Sequence, residues 1–168
     1  MNKATHFKKH QPVLINIGLV FVMIIGTFVL LRLLGIIHFS APDFEKIKAS
    51  VETSADSATM VAADEAALRK NYGIDSRDLE GFIYYAPKSA MDASEILILQ
   101  AKSESSLNGW RSTIESRRTT RADMYRNYRP EEALLLEKSE LKVQGNYLIF
   151  ISAHNVSEVK AAVEQSFR

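Results

Sequence analysis

Residues 13–31 read VLINIGLVFVMIIGTFVLL, 19 consecutive residues without a charge. A helix of that length rises about 28 Å, close to the ~30 Å hydrocarbon core of a bilayer. Asn16, Gly18, Gly26 and Thr27 are its small or polar interruptions, and a helix tolerates them because it satisfies its own backbone in lipid. The apolar residues cover every helical face, whereas a helix on a soluble core needs only one apolar stripe. Arg32 ends the uncharged run at a point where it can extend into headgroups, and residues 33–39 are largely apolar again. The pattern predicts a transmembrane helix over residues 13–37, with the lipid bilayer as its partner. A cleaved signal peptide fits less well, because the run exceeds a usual h-region of about 7–15 residues. The nearest cleavage pattern, Phe39-Ser40-Ala41, is also followed by Pro42.

Flanking charge sets the expected orientation. Lys3, Lys8, Lys9 and the chain amine precede the helix, against Arg32, Lys46 and Lys48 after it. The balance makes residues 1–12 a cytoplasmic tail and puts the C-terminal part outside the cell. All 20 acidic residues lie at or beyond Asp43, while Lys3, Lys8, Lys9 and Arg32 leave 17 of the 21 basic residues there, a formal net charge of −3. Such a balance supplies no electrostatic reason to bind nucleic acid. The chain has no cysteine, which excludes disulfides, thiolate metal sites, cysteine nucleophiles and a lipoprotein lipobox.

Beyond the anchor, periodicity predicts a juxtamembrane helix and linker over residues 38–59 and an α+β domain over residues 60–168. Phe44, Ile47 and Val51 recur at helical spacing, and residues 53–59 (TSADSAT) read as a loop. Asp64 is placed to cap a helix ending at Tyr72, with Gly73 as its left-handed terminator. Residues 81–88 and 95–102 are rich in strand formers and joined by a short link. Residues 104–128 read as one long helix with Leu107, Trp110, Ile114, Met124 and Tyr128 on its apolar stripe, closed by Pro130. Residues 140–143 and 147–152 flank the hairpin turn Gln144-Gly145-Asn146. Asn155 with Glu158 forms a capping-box pattern for a last helix carrying Val159, Val163 and Phe167 inward. The expected order is α-α-β-β-α-β-β-α, a mostly antiparallel four-stranded sheet packed by about four helices.

The usual catalytic and metal-binding patterns are not found. His154 is the only histidine of the expected domain over residues 60–168, in a predicted loop without an acid placed to orient it. Ser139-Glu140-Leu141-Lys142 matches S-x-x-K, but at the start of a predicted strand, where serine and lysine point apart. Asp75 and Asp78 could share a cation, yet turn capping accounts for them better. No metal and no cofactor is expected. The distinctive polar feature is the group Arg111, Arg117, Arg118, Arg121, Arg126 and Arg129. Arg117 and Arg121 fall on the apolar stripe of the long helix, which leaves two readings. They are structural and paired, with Glu115 and Asp123 nearby, because an unpaired buried charge is very costly. Alternatively Arg117, Arg121 and Tyr128 form a site for an anion or a partner.

From about residue 60 to residue 167 the chain resembles the bacterial domain of unknown function 4358 family. Tyr72-Gly73-Ile74-Asp75 after a short helix, Arg117 in the long helix, Tyr128 with Pro130, and Gly145-Asn146-Tyr147 entering an apolar strand carry the resemblance. The resemblance implies a secreted, lipid-anchored or membrane-anchored protein of Gram-positive bacteria, and no particular activity. This chain departs from lipoprotein members by lacking a cysteine.

Together these features predict a non-enzymatic, membrane-anchored, extracytoplasmic binding or assembly domain of the cell envelope, with an envelope protein or polymer as its partner. An enzyme built on an Arg/Tyr group, using Tyr128 or Tyr147, and an accessory subunit of a membrane complex are the alternatives. Gly18 and Gly26 are eight apart, so the simple close-packing motif for a partner helix is absent.

Overall fold

The computed structural model describes residues 11–33 and 43–167. The chain divides into two compact units, residues 1–41 and 42–168. In the first, α1 runs Gln11–Leu33. Ile17, Leu19, Val20, Phe21, Val22, Met23, Ile24 and Ile25 are all exposed, so among the described residues of α1 apolar side chains face outward on successive positions. Thr27 returns its hydroxyl to the Met23 carbonyl at 2.8 Å, which satisfies the one hydroxyl in the run. Side chains of α1 are described at residues 17–27, 29 and 30. Among the described residues no helix is long and apolar enough to cross a membrane. The expected tail over residues 1–12 (apart from the backbone of its last two residues), the Arg32 side chain and residues 34–37 of the expected span lie outside what is described.

The second unit is an α+β domain with the element order α2 (Phe44–Ser54), β1 (Met60–Ala62), α3 (Glu65–Tyr72), β2 (Leu79–Pro87), β3 (Glu95–Ala101), α4 (Leu107–Tyr125), α5 (Pro130–Glu137), β4 (Glu140–Gln144), β5 (Tyr147–Ser152) and α6 (Val156–Ser166). The sheet has five strands in the order β1-β2-β3-β5-β4, and every pairing is antiparallel. The expected four strands become five because β1 pairs with the far end of β2, Met60 opposite Pro87. Three residues are too few for alternation to register, so that strand is invisible to periodicity.

Two central strands are buried on both faces, as their unbroken apolar runs require. Leu97 and Leu99 of β3, with Leu148 and Phe150 of β5, join Leu68 and Tyr72 of α3, Ile114 and Tyr125 of α4 and Leu136 of α5. Ile96, Ile98, Ile149 and Ile151 point the other way and join Ile47 and Val51 of α2 and Val159 and Val163 of α6. The sheet is thus the middle of three layers. Ile47 and Val51 are fully buried, which makes α2 part of the domain and moves the boundary from the expected residue 60 back to about residue 42.

Local signals explain most element ends. Asp64 accepts a hydrogen bond from the Ala67 amide at 2.9 Å, and Gly73 closes α3 at φ 68°, a conformation that glycine adopts without steric cost. Two other expectations are corrected. The expected long helix stops at Tyr125, and Pro130 opens α5 rather than closing its predecessor. Proline is well suited to a first helical position, where its missing N–H is not needed. The Asn155–Glu158 capping box does not form. The Asn155 amide donates to the Ser54 carbonyl and to Glu158 instead, tying α6 to α2.

Candidate functional site

Glu95 opens β3 and is 1 % exposed. Strand alternation turns it to the face of Leu97 and Leu99, under α4. A carboxylate there needs compensation, since burial of an isolated charge is strongly unfavourable. Arg121 provides it with Nη1 on Oε2 at 2.9 Å, and the Arg117 Nη2 lies 3.6 Å from Oε1. The Tyr84 hydroxyl donates to Oε1 at 2.6 Å and accepts from the Asn71 amide at 2.8 Å. Burial, and then the neighbouring Glu95 charge, push the Tyr84 phenol well above its ordinary range. Tyr72 is raised too, first by burial and then by Glu95. The Arg117 guanidinium lies 4.9 Å over the Tyr72 ring, a cation–π contact, and the Tyr72 hydroxyl beneath it is buried without a hydrogen bond.

Arg121 also fastens the link between β2 and β3. Arg121 Nη2 donates to the Asp92 carbonyl at 2.6 Å and to the Tyr125 hydroxyl at 3.2 Å. Tyr125 donates to the Ala90 carbonyl at 2.6 Å. From α5, the buried Glu132 accepts from the Ala93 amide at 2.7 Å and from Arg129 at 2.9 Å. Burial, reinforced by the Glu132 charge, raises the Asp92 carboxyl above its ordinary value.

Between this link, α3 and α4 lies an open pocket of about 480 Å³. Its charged lining is Lys70, Lys88, Arg117 and Arg121, without an acidic side chain; Met124, Tyr125 and Tyr128 form its wall. Arg117, Arg121 and Tyr128 are therefore brought together, as the anion-site reading requires. Arg117 and Arg121 are also paired, as the structural reading requires, but with Glu95 rather than the expected neighbours. Glu115 pairs with Arg111, and Asp123 with Arg126. Arg118 and Arg126 line a smaller hollow beside α5 with Asp123 and Glu137.

Met124 and Tyr128, expected on the buried stripe, are exposed, and Ala122 and Tyr125 are buried instead. At about 100° per residue, Tyr125 falls roughly 20° from Ile114 around the helix, whereas Met124 falls about 80° away. Other expectations resolve without chemistry. Asp75 caps the turn Ser76–Asp78 and pairs with Arg69 and Arg77. The Arg77 side chain and amide are the leading reasons its carboxyl sits far below the usual range. Lys142 pairs with Glu164, Ser139 donates to the Leu136 carbonyl, and His154 is exposed in its loop. Tyr147 is buried on the opposite face of the sheet from the pocket. Among the described residues no acidic or histidine cluster could hold a metal ion.

Glu95 is not among the candidates that the sequence singles out. Its signal was a single carboxylate opening a run of four apolar residues, a place where an acid demands a buried partner.

Residues 43–153 match the family model described as Domain of unknown function (DUF4358). The match includes α2, upstream of the expected start near residue 60, and ends before α6. No curated protein and no solved structure matches the chain.

Proposed function

The chain belongs to the domain of unknown function 4358 family, and we propose that it is a non-enzymatic binding domain of the bacterial cell envelope that captures an anionic ligand. The carrying observation is the pocket whose charged lining is wholly basic, Lys70, Lys88, Arg117 and Arg121. One negative charge, Glu95, lies buried behind it and holds the arginines in place. Two guanidiniums held by Glu95 and two lysines beside a partly apolar wall offer an oxyanion charge-assisted donors. The test is a thermal-shift series with sulfate, phosphate and carboxylates on the full chain. Oxyanions should raise the midpoint while chloride at equal ionic strength does not. Equal effects of all salts would contradict the reading.

In this reading residues 13–37, of which 34–37 lie outside the described residues, are a membrane tether, with the binding domain outside. The uncharged run over residues 13–31 and the exposed apolar side chains described between Ile17 and Leu30 support it, as does the positive charge ahead of the helix. Retention of the chain in carbonate-washed membranes, with the domain open to external protease, is expected. Release into the soluble fraction would refute the tether.

The openness of the pocket beside Tyr128 favours one rival, an enzyme working through this Arg/Tyr group. Against it, Tyr72 and Tyr84 are held in their protonated form, and Tyr125 is committed as a donor to the Ala90 carbonyl. These phenols are poor proton acceptors.

A further inference from the structure

The four cations of the pocket are not equivalent. Arg121 is spent on the protein, with Glu95, the Asp92 carbonyl and the Tyr125 hydroxyl taking its two terminal nitrogens. Arg117 is held more loosely. Its Nη2 lies 3.6 Å from Glu95 Oε1, its guanidinium lies over the Tyr72 ring, and the residue lines the pocket. Lys70 is exposed on the last turn of α3 and forms no ion pair or hydrogen bond among the described residues. Lys88 donates to the Ser57 carbonyl and keeps its other N–H groups. Ser89 accepts from the Met91 amide and keeps its own O–H to donate.

A surplus of donors and of charge follows. With Glu95 offsetting one cation, three positive charges face the pocket. A carboxylate offers about four lone-pair positions and one negative charge, and Arg117 with Lys70 would saturate it. A phosphate monoester carries nearly two charges at neutral pH and three acceptor oxygens, which matches the surplus better. The remaining lining combines hydrogen-bonding groups, Asn71 and Ser89, with the side chains of Pro87, Met124 and Tyr128. That mixture suits a body with both hydroxyls and apolar faces.

Resting on the anion-binding reading above, we infer that the ligand is the phosphate monoester of a sugar or polyol. Arg117, Lys70 and Lys88 hold its phosphoryl oxygens, Tyr128 and Met124 cover its carbon skeleton, and Arg121 does not touch it.

The test is calorimetric titration of the full chain, in mild detergent, with glucose 6-phosphate, inorganic phosphate, glucuronate and glucose. Glucose 6-phosphate should bind at least about tenfold more tightly than glucuronate, and glucose should not bind. Its affinity should rise as pH increases through the second phosphate ionisation near 6, while that of glucuronate stays flat. Lys70→Gln should weaken glucose 6-phosphate by about three- to tenfold. Lys70 is exposed, so this variant keeps its fold, whereas Arg117→Gln, expected to weaken binding more, is read only with an unchanged circular-dichroism spectrum. Glucuronate binding as tightly as the phosphate ester, without pH dependence, would overturn the phosphate assignment and leave the anion reading intact. No binding by any anion would overturn both. An unaffected Lys70→Gln would overturn the placement of the phosphoryl group.

Discussion

Substituting Glu95→Gln removes one negative charge from a buried cluster while keeping an acceptor for the Tyr84 hydroxyl. Glu95 is 1 % exposed and faces Arg121 at 2.9 Å and Arg117 at 3.6 Å. Removing one partner of a buried ion pair typically costs about 3–5 kcal/mol, because the other charge is left uncompensated. Here Arg121 keeps the Asp92 carbonyl and the Tyr125 hydroxyl, and the Arg117 side chain is 25 % exposed. The low end, about 3 kcal/mol, is therefore expected. A folded unit of about 125 residues unfolds with an entropy near 0.26 kcal/mol/K, so the midpoint should fall by roughly 11 °C. Differential scanning calorimetry of the full chain at neutral pH reads this directly. The triple variant Glu95→Leu/Arg117→Met/Arg121→Met should recover part of the loss, since apolar replacement of a whole buried charge cluster is often neutral. A fall of less than about 3 °C for Glu95→Gln would mean that Glu95 does not carry the charge balance of the cluster.

Three further outcomes are expected. Ile98→Ala, in a strand whose Ile98 side chain is fully buried, should cost about 3 kcal/mol in denaturant unfolding. Gly73→Ala should cost about 1 kcal/mol, because Gly73 sits at φ 68° and a side chain is disfavoured there. Burial and then Glu95 raise the folded-state phenol of Tyr84, so its stabilisation is complete below the unfolded value near 10 and is lost as pH rises above it. The midpoint should fall more steeply above about pH 10 in the native chain than in Tyr84→Phe, with 295 nm absorbance reporting the ionisation.

The sequence carried the parts of the fold that depend on neighbours. The Asp64 cap and Gly73 terminator are local, and both form as their residue types require. The apolar runs of β3 and β5 demanded cover on two faces, and both faces are covered. What failed to show depends on distance or on short length. β1 has three residues and exists because β2 offers it an edge. Pro130-Glu131-Glu132 carries the start signals of a helix, but Pro130 also fits a stop, and only the packing of Ala133 and Leu136 chooses. The site was half legible. Arg117 and Arg121 stood out by lying on an apolar stripe, whereas their partner Glu95 is 26 residues from Arg121 along the chain. Charge pairing across that separation depends on which face of β3 packs under α4, which no local pattern specifies.

Whether the basic pocket takes an oxyanion at Arg117 and Lys70 is tested directly by a crystal structure of the protein grown with saturating phosphate. Phosphate oxygens are expected within hydrogen-bond distance of the Arg117 and Lys70 side chains, with Arg121 still on Glu95. An empty pocket, or Arg117 turned away to bind Glu95 as tightly as Arg121 does, would contradict that expectation.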